Sequence, residues 1–457
     1  MASKTTLNAK NLEALGAERL AELLIEISTG NANHKRRLRM ELAGNSSGSE
    51  LAHEVRKRLN SISRAQSWIG WRKIKSFKTD LESQRKMIVE KIAPVDPDEA
   101  YELIWQFLSL ADSVFERSDD GNGTIISSFH AANEDAALIA KQAKVSSDRL
   151  AEKVFNALQD NSHGQYNNLI VAIVPALGES GLRKLQHGFE DWLADSRDSR
   201  QSNSRSFTAR PALQQIADAL GDVDLYIAQH PLNTHVIPRV STEIARRLLD
   251  VDRAQEALTV LDKAKFGGRR DISTDWQAIR AKALEVLGRR DEAQQFRWQS
   301  FEQSLNEELL RDFVRRLPDF DDMEAEEKAF TFVADYPDAN RALQFFLRYP
   351  SLSDAAKLVL KRSLELGGDQ YEFMSQAAEK LADKYPLAAM LVLRNMIDFT
   401  LGHSRSGRYK YAAQHLLECK MLHRNIVDYG ILVNHDIYVA NLRRQHGKKR
   451  AFWDLID

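Results

Sequence analysis

His415, Cys419 and His423 follow one another at four-residue intervals. On a helix this spacing lines two imidazoles and a thiol along one face, and both groups are metal ligands. Adjacent members can share an ion. The outer two, however, lie about 12 Å apart at a rise of 1.5 Å per residue, so all three cannot ligate one metal. A site built from one pair, with His435 or His446 nearby, is the most the spacing supports. The plainer reading makes them ordinary helix-surface or core residues. Cys419 is the lone cysteine of the chain, which excludes an intramolecular disulfide and any zinc site built on several thiolates.

Two loops carry fragments of chemical motifs. Gly44-Asn45-Ser46-Ser47-Gly48 spells G-x-S-x-G, which makes a nucleophile only where a buried strand delivers the serine into a strained turn. Here it follows Lys35-Arg36-Arg37-Leu38-Arg39, a run no central strand would contain, so it reads as a loop between helices. Ser118-Asp119-Asp120-Gly121-Asn122-Gly123-Thr124-Ile125 resembles the middle of a calcium loop. Ser118 and Phe129 would occupy the first and twelfth positions, so the acidic first ligand and the bidentate glutamate are both missing. It reads as a polar turn.

The basic residues are the most interesting polar feature. Between His34 and Lys91 there are 15 Lys/Arg against 6 Asp/Glu, a net of +9, in a chain whose net charge is −1. The remainder therefore carries −10. Arg36, Arg37 and Arg39, then Arg56, Lys57 and Arg58, then Arg72, Lys73 and Lys75 form three clusters, with Trp68 and Trp71 beside the last. Such clusters with adjacent aromatics can bind phosphate backbones and stack bases, so these nine residues are the candidate contacts to an anionic ligand or nucleic acid. The competing reading is a charged helix surface paired to the acidic body, with the tryptophans in the core.

The sequence contains no Walker A motif, dinucleotide fingerprint, H-E-x-x-H or cysteine pair. No catalytic residue, cofactor or metal site is expected. The acidic run from Asp319 to Glu327 reads as a solvated helix start favoured by the helix dipole.

What must position these residues is a set of helices. The 457 residues exceed the length at which a single core usually stops growing, and only 21 Gly and 10 Pro punctuate them. From Asn11 to Ile27, Leu12, Leu15, Leu20, Leu23, Leu24 and Ile27 share one helical face. Leu51, Val55, Leu59 and Ile62 mark another helix, and Ile74, Phe77, Leu81 and Ile88 one running from Trp68 to Ile92. Pro97-Asp98-Glu99 opens a helix whose stripe is Ala100, Leu103, Ile104, Phe107, Leu108 and Ala111. From Asp195 to Pro211 the periodicity stops and Ser and Arg dominate, which predicts a linker or loop.

Beyond that point a pattern recurs. Val251-Asp252-Arg253-Ala254-Gln255-Glu256-Ala257 and Leu287-Gly288-Arg289-Arg290-Asp291-Glu292-Ala293 place Ala257 and Ala293 36 residues apart, close to one helix–turn–helix period. Gly407-Arg408-Tyr409-Lys410-Tyr411-Ala412 repeats it. The Gly or Asp turns the chain, and the small Ala lets two helices approach closely. These units resemble degenerate tetratricopeptide repeats; ordinary α-hairpins are the alternative. Either way the expected fold is all-α, an α-solenoid of helical hairpins, TPR-like in the C-terminal half. The expected divisions are an N-terminal amphipathic helix over 1–32, a basic helical domain over 33–195, a Ser/Arg-rich linker over 196–210 and a repeat domain over 211–457.

Two further resemblances rest on longer stretches. Tyr411-Ala412-Ala413-Gln414-His415-Leu416, His435-Asp436-Ile437-Tyr438 and Leu442-Arg443-Arg444-Gln445-His446-Gly447-Lys448-Lys449-Arg450-Ala451-Phe452-Trp453 resemble the C-terminal helical end of bacterial SWIM zinc-finger proteins. The finger itself needs three cysteines and a histidine, so only the helical scaffold carries over. The rest, including Arg36-Arg37-Leu38-Arg39-Met40-Glu41 and Phe115-Glu116-Arg117-Ser118-Asp119-Asp120, is similar to an uncharacterised bacterial domain-of-unknown-function family. Independently of either, Phe452, Trp453, Leu455 and Ile456 are expected to cap the last repeat while Lys448, Lys449 and Arg450 stay solvated.

Met1 to Lys10 shows no signal peptide, and no run approaches the roughly 18 apolar residues of a membrane span. With the single cysteine, this implies a reducing cytoplasm. The function expected is a non-enzymatic scaffold holding a protein or peptide partner in a groove along the first helices of successive hairpins. The alternatives are nucleic-acid association through 34–91 and, last, an enzyme whose site is assembled from distant residues.

Overall fold

The computed structural model describes residues 6–30, 34–35, 38–39, 42, 48–195, 199–268 and 272–456, with the side chains of 199–204 left out. It is all-α: the described residues contain no strand, only an isolated parallel bridge between Ile69 and Ser118. The chain divides into Met1–Leu232 and Asn233–Asp457.

In the first unit the helices are α1 (Ala9–Glu13), α2 (Ala17–Ser28), α3 (Gly48–Ser63), α4 (Trp71–Lys86), α5 (Pro97–Leu108), α6 (Ala111–Phe115), α7 (Ile126–Gln142), α8 (Ser147–Gln159), α9 (Leu169–Ala194), α10 (Ser199–Leu220) and α11 (Val223–Ala228). The expected single N-terminal helix is two, because Gly16 sits at φ +80° between them. Its apolar face packs little: Leu15, Leu24, Ile25 and Ile27 are exposed. The next helices follow their stripes. Leu51, Val55, Leu59 and Ile62 are buried, as are Ala100, Leu103, Ile104, Phe107 and Leu108. Asp96 caps α5 by accepting from the Glu99 amide at 3.0 Å, with Pro97 at the first helical position. Helix α4 begins at Trp71 rather than Trp68 and runs into a π-turn, Met87–Ile92, which buries Met87, Ile88 and Ile92.

The predicted linker over 196–210 is largely helix. Helix α10 runs from Ser199 through Pro211 to Leu220, and the division between units falls at Leu232 instead. Ser, Arg, Gln and Asn are all tolerated on a helix, so a missing apolar period does not exclude one. Among the described side chains of α10, Ala209, Ala212, Leu213 and Ile216 are buried.

The second unit holds α12 (Pro238–Asp250), α13 (Ala254–Asp262), α14 (Thr274–Val286), α15 (Arg290–Ser304), α16 (Glu307–Val314), α17 (Asp321–Ala334), α18 (Ala339–Arg348), α19 (Leu352–Arg362), α20 (Tyr371–Ala382), α21 (Pro386–Gly402), α22 (Tyr409–His423), α23 (His435–His446) and α24 (Arg450–Trp453). The 36-residue period appears in the backbone. Asp252 and Gly288 are left-handed, at φ 60° and 75°. In each turn the following amide reaches back five residues, Arg253 to the Leu248 carbonyl at 2.8 Å and Arg289 to Leu284 at 2.9 Å. That is the bond of a Schellman cap, which satisfies a carbonyl the helix leaves open. Arg253 then clamps Glu256 at 2.7 Å and Arg289 clamps Glu292, one period on. Ala257 and Ala293 are both fully buried. In the third unit the left-handed residue is Ser404, φ 52°, with Arg405 bonding Thr400 at 3.0 Å; Gly407 instead lies in the short 3-10 turn Ser406–Arg408.

At the C-terminus Phe452 and Trp453 are buried, Ile456 packs partly against the core, and Leu455 stays exposed. Arg443 lies over the Trp453 ring at 4.4 Å, and the Trp453 indole donates to the His446 carbonyl at 3.0 Å.

Candidate functional site

The nine candidate basic residues part into groups. Arg36 and Arg37, like the G-x-S-x-G loop from Gly44 to Ser47, lie outside the described residues; Arg39 is exposed. On α3 the apolar stripe faces inward, and the three cations of its second cluster have acidic partners. Arg56 meets Glu99 at 2.5 Å, Lys57 lies 3.8 Å from Glu54, and Arg58 pairs with Asp80. Arg72, Lys73 and Lys75 are exposed on the first turns of α4. The guanidinium of Arg72 lies 5.0 Å from the Trp71 ring centroid.

The tryptophans are not core. Trp68 is 60% exposed and Trp71 71%, at the corner between α3 and α4. The reason is local: Ile69, between them, is the residue turned inward, and it bridges to the segment after α6. Its amide donates to the Arg117 carbonyl at 2.8 Å, and its carbonyl accepts from Asp119. Arg117 was not singled out in the sequence. It is buried against Phe77 and donates to the carbonyls of Ser67 and Ile62, at 3.1 Å each. Burial, and then the neighbouring Arg58 guanidinium, push its pKa below the usual arginine range.

A second concave surface lies between α17 and α19. Phe330, Phe346 and Leu358 line a cleft of about 640 Å³, with Glu324 and Glu327 on one wall and Lys357 and Lys361 on the other. The lysines are engaged, by Asp354 at 2.9 Å and Asp335 at 3.3 Å. Among the described residues neither Glu324 nor Glu327 has an ion pair. Phe320 and Met323, at the start of α17, are exposed. The sequence reading placed a groove along the first helices of hairpins; this cleft uses α19, which follows α18 in its hairpin.

The His/Cys face has other work. Cys419 is buried with its thiol toward the Met390 carbonyl, and burial pushes its pKa up to about 12. His415 faces Glu418 at 3.2 Å and His423 meets the Tyr429 hydroxyl at 2.8 Å. Around them, buried Arg394 donates to the Val433 carbonyl at 2.7 Å, and Tyr438 donates to Asp398 at 2.7 Å. Among the described residues no three His, Cys, Asp or Glu side chains are placed to hold a metal ion. In the calcium-like loop the Asp120 carboxylate accepts from the amides of Ile125 and Ile126 at 2.8 and 2.9 Å, so it ties down the start of α7.

No curated protein matches the chain. Among solved structures it is similar to a "Circular tandem repeat protein with novel repeat topology and enhanced subunit contact surfaces", at 14% identity and a TM-score of 0.17, over 96% of this chain and 95% of that one. No described helix is long and apolar enough to cross a membrane. A family profile matches residues 2–455, nearly the whole sequence, and the chain therefore belongs to DUF6880, a family of unknown function.

Proposed function

We propose that the chain is a non-enzymatic helical-repeat scaffold of the bacterial cytoplasm and that the cleft between α17 and α19 receives a helical or extended segment of a protein partner. The observation that carries this reading is the composition of the cleft. Half-buried Phe330 offers apolar area to anchor a side chain, over a floor backed by buried Phe346 and Leu358. Its lysines are already neutralised by Asp354 and Asp335, which leaves the charge of Glu324 and Glu327 for the partner. A complementary segment carries apolar anchors flanked by Lys or Arg. Exposed Met323 extends the apolar lining of the cleft.

The test compares affinity capture, with nuclease present, by the native chain and by a Met323→Asp, Glu324→Lys, Glu327→Lys variant. Loss of one discrete partner in the variant, at unchanged helix content, supports the cleft. Equal recovery of every partner by both proteins overturns it. Turnover of a substrate that survives stringent purification would remove the non-enzymatic part of the reading.

A further inference from the structure

We propose that the corner between α3 and α4 binds single-stranded nucleic acid, with bases stacking on Trp68 and Trp71 and a phosphate entering the adjoining cleft. Two indoles three residues apart are 60% and 71% exposed, whereas Trp105, Trp276 and Trp453 are buried. Solvating so much aromatic surface is unfavourable unless something covers it. Beside Trp68 opens a cleft of about 270 Å³ whose polar lining includes Arg58, Ser67, Lys73 and Arg117, with Asp80 as its one carboxylate, paired to Arg58. Arg117 is 9% exposed and has no acidic partner among the described residues; its terminal nitrogens bond only the neutral Ser67 and Ile62 carbonyls, so its charge is not neutralised beside the cleft. A guanidinium without a carboxylate partner attracts an anion to the cleft beside it, where Lys73 can supply the charge-assisted bond to a phosphate oxygen. Lys73 and Lys75 have no ion pair among the described residues, so their charge remains for a backbone passing along α4.

The combination selects among anionic partners. An acidic peptide would use the cations but leave the indole faces unused. A duplex hides the base faces that stacking requires. A membrane surface would favour exposed apolar side chains around the indoles, whereas Ile69 between them is buried and the exposed neighbours are Ser67, Arg72 and Lys73. Single strands offer phosphate and base faces together, and DNA and RNA are equivalent in this respect.

The experiment titrates the full chain against fluorescein-labelled oligo-dT and oligo-rU of about 15 residues, the matching duplex, a polyglutamate peptide and anionic phospholipid vesicles, at about 50 mM salt. Both single strands are expected to bind and to quench tryptophan emission. Trp68→Ala with Trp71→Ala, both at exposed positions, should weaken binding at least about tenfold. Lys73→Gln with Lys75→Gln should flatten the salt dependence by about 1.4 in log–log slope. Preference for one strand type by its 2′-hydroxyl would still support the site. The proposal is overturned by absent single-strand binding, by equal or tighter binding of duplex, peptide or vesicles, or by unchanged affinity in the folded tryptophan variant.

Discussion

Asp252 and Gly288 hold the same left-handed conformation one repeat apart, and only one is a glycine. An L-residue there carries a steric penalty of about 1 kcal/mol. Asp252→Gly should therefore stabilise by about 0.5 kcal/mol, and Gly288→Ala, whose added Cβ meets nothing within 4 Å, should cost about 1 kcal/mol, both read from urea midpoints at constant m. Gly368 differs: an added Cβ would collide with the Asn395 carbonyl oxygen. Backbone cannot yield as a side chain does, so Gly368→Ala should lose more than about 2 kcal/mol or fail to fold. Cys419 gives a pH prediction. An unfolded thiol ionises near pH 8.5, whereas the buried one holds its proton to about 12. Its contribution is thus complete below about pH 8.5 and is lost on alkalinisation, at up to about 1.4 kcal/mol per pH unit. Partly buried tyrosines such as Tyr438, whose pKa desolvation and Asp398 raise, add to the same trend, so the measurement is the difference between the native chain and Cys419→Ala. Equal alkaline slopes would count against a sealed thiol.

At the scale of elements, legibility followed burial. Helices α3 and α5 were readable because their stripes face a core, and the turn at Gly288 because it needs a residue tolerant of positive φ. Two departures have separate causes: a polar segment such as 199–206 carries no period to detect, and in Trp68-Ile69-Gly70-Trp71 it is Ile69, and not the larger indoles, that occupies the interior. Arg117 was invisible because its partners lie 50 and 55 residues away at Ser67 and Ile62. The helical state of 199–220 has its own test. Phe207 is exposed, so Phe207→Pro removes no packing; a linker would absorb it, whereas α10 should lose about 3 kcal/mol. Circular dichroism with thermal melts separates the two.

For the molecule as a whole, each unit carries its own core, one running from Leu51 to Ile216 and one from Phe301 to Trp453. Residues 233–457 expressed alone are expected to keep their helix content and to unfold cooperatively; a sloping, non-cooperative melt would contradict that. The all-α class was legible from sparse Gly and Pro and from stripe periods. The α17–α19 cleft was not, because a cleft is defined by how neighbouring helices diverge, and the acidic run at its edge looked like any solvated helix start.

The sealing of Cys419 has a practical side. With the sole thiol of the chain buried, maleimide or spin-label chemistry under native conditions starts from a silent background. A cysteine placed at one exposed position, such as Lys75 or Met323, becomes the single reactive handle without prior removal of a native one. A fluorophore at the first would report on the tryptophan corner and one at the second on the cleft, each read separately in the full-length protein.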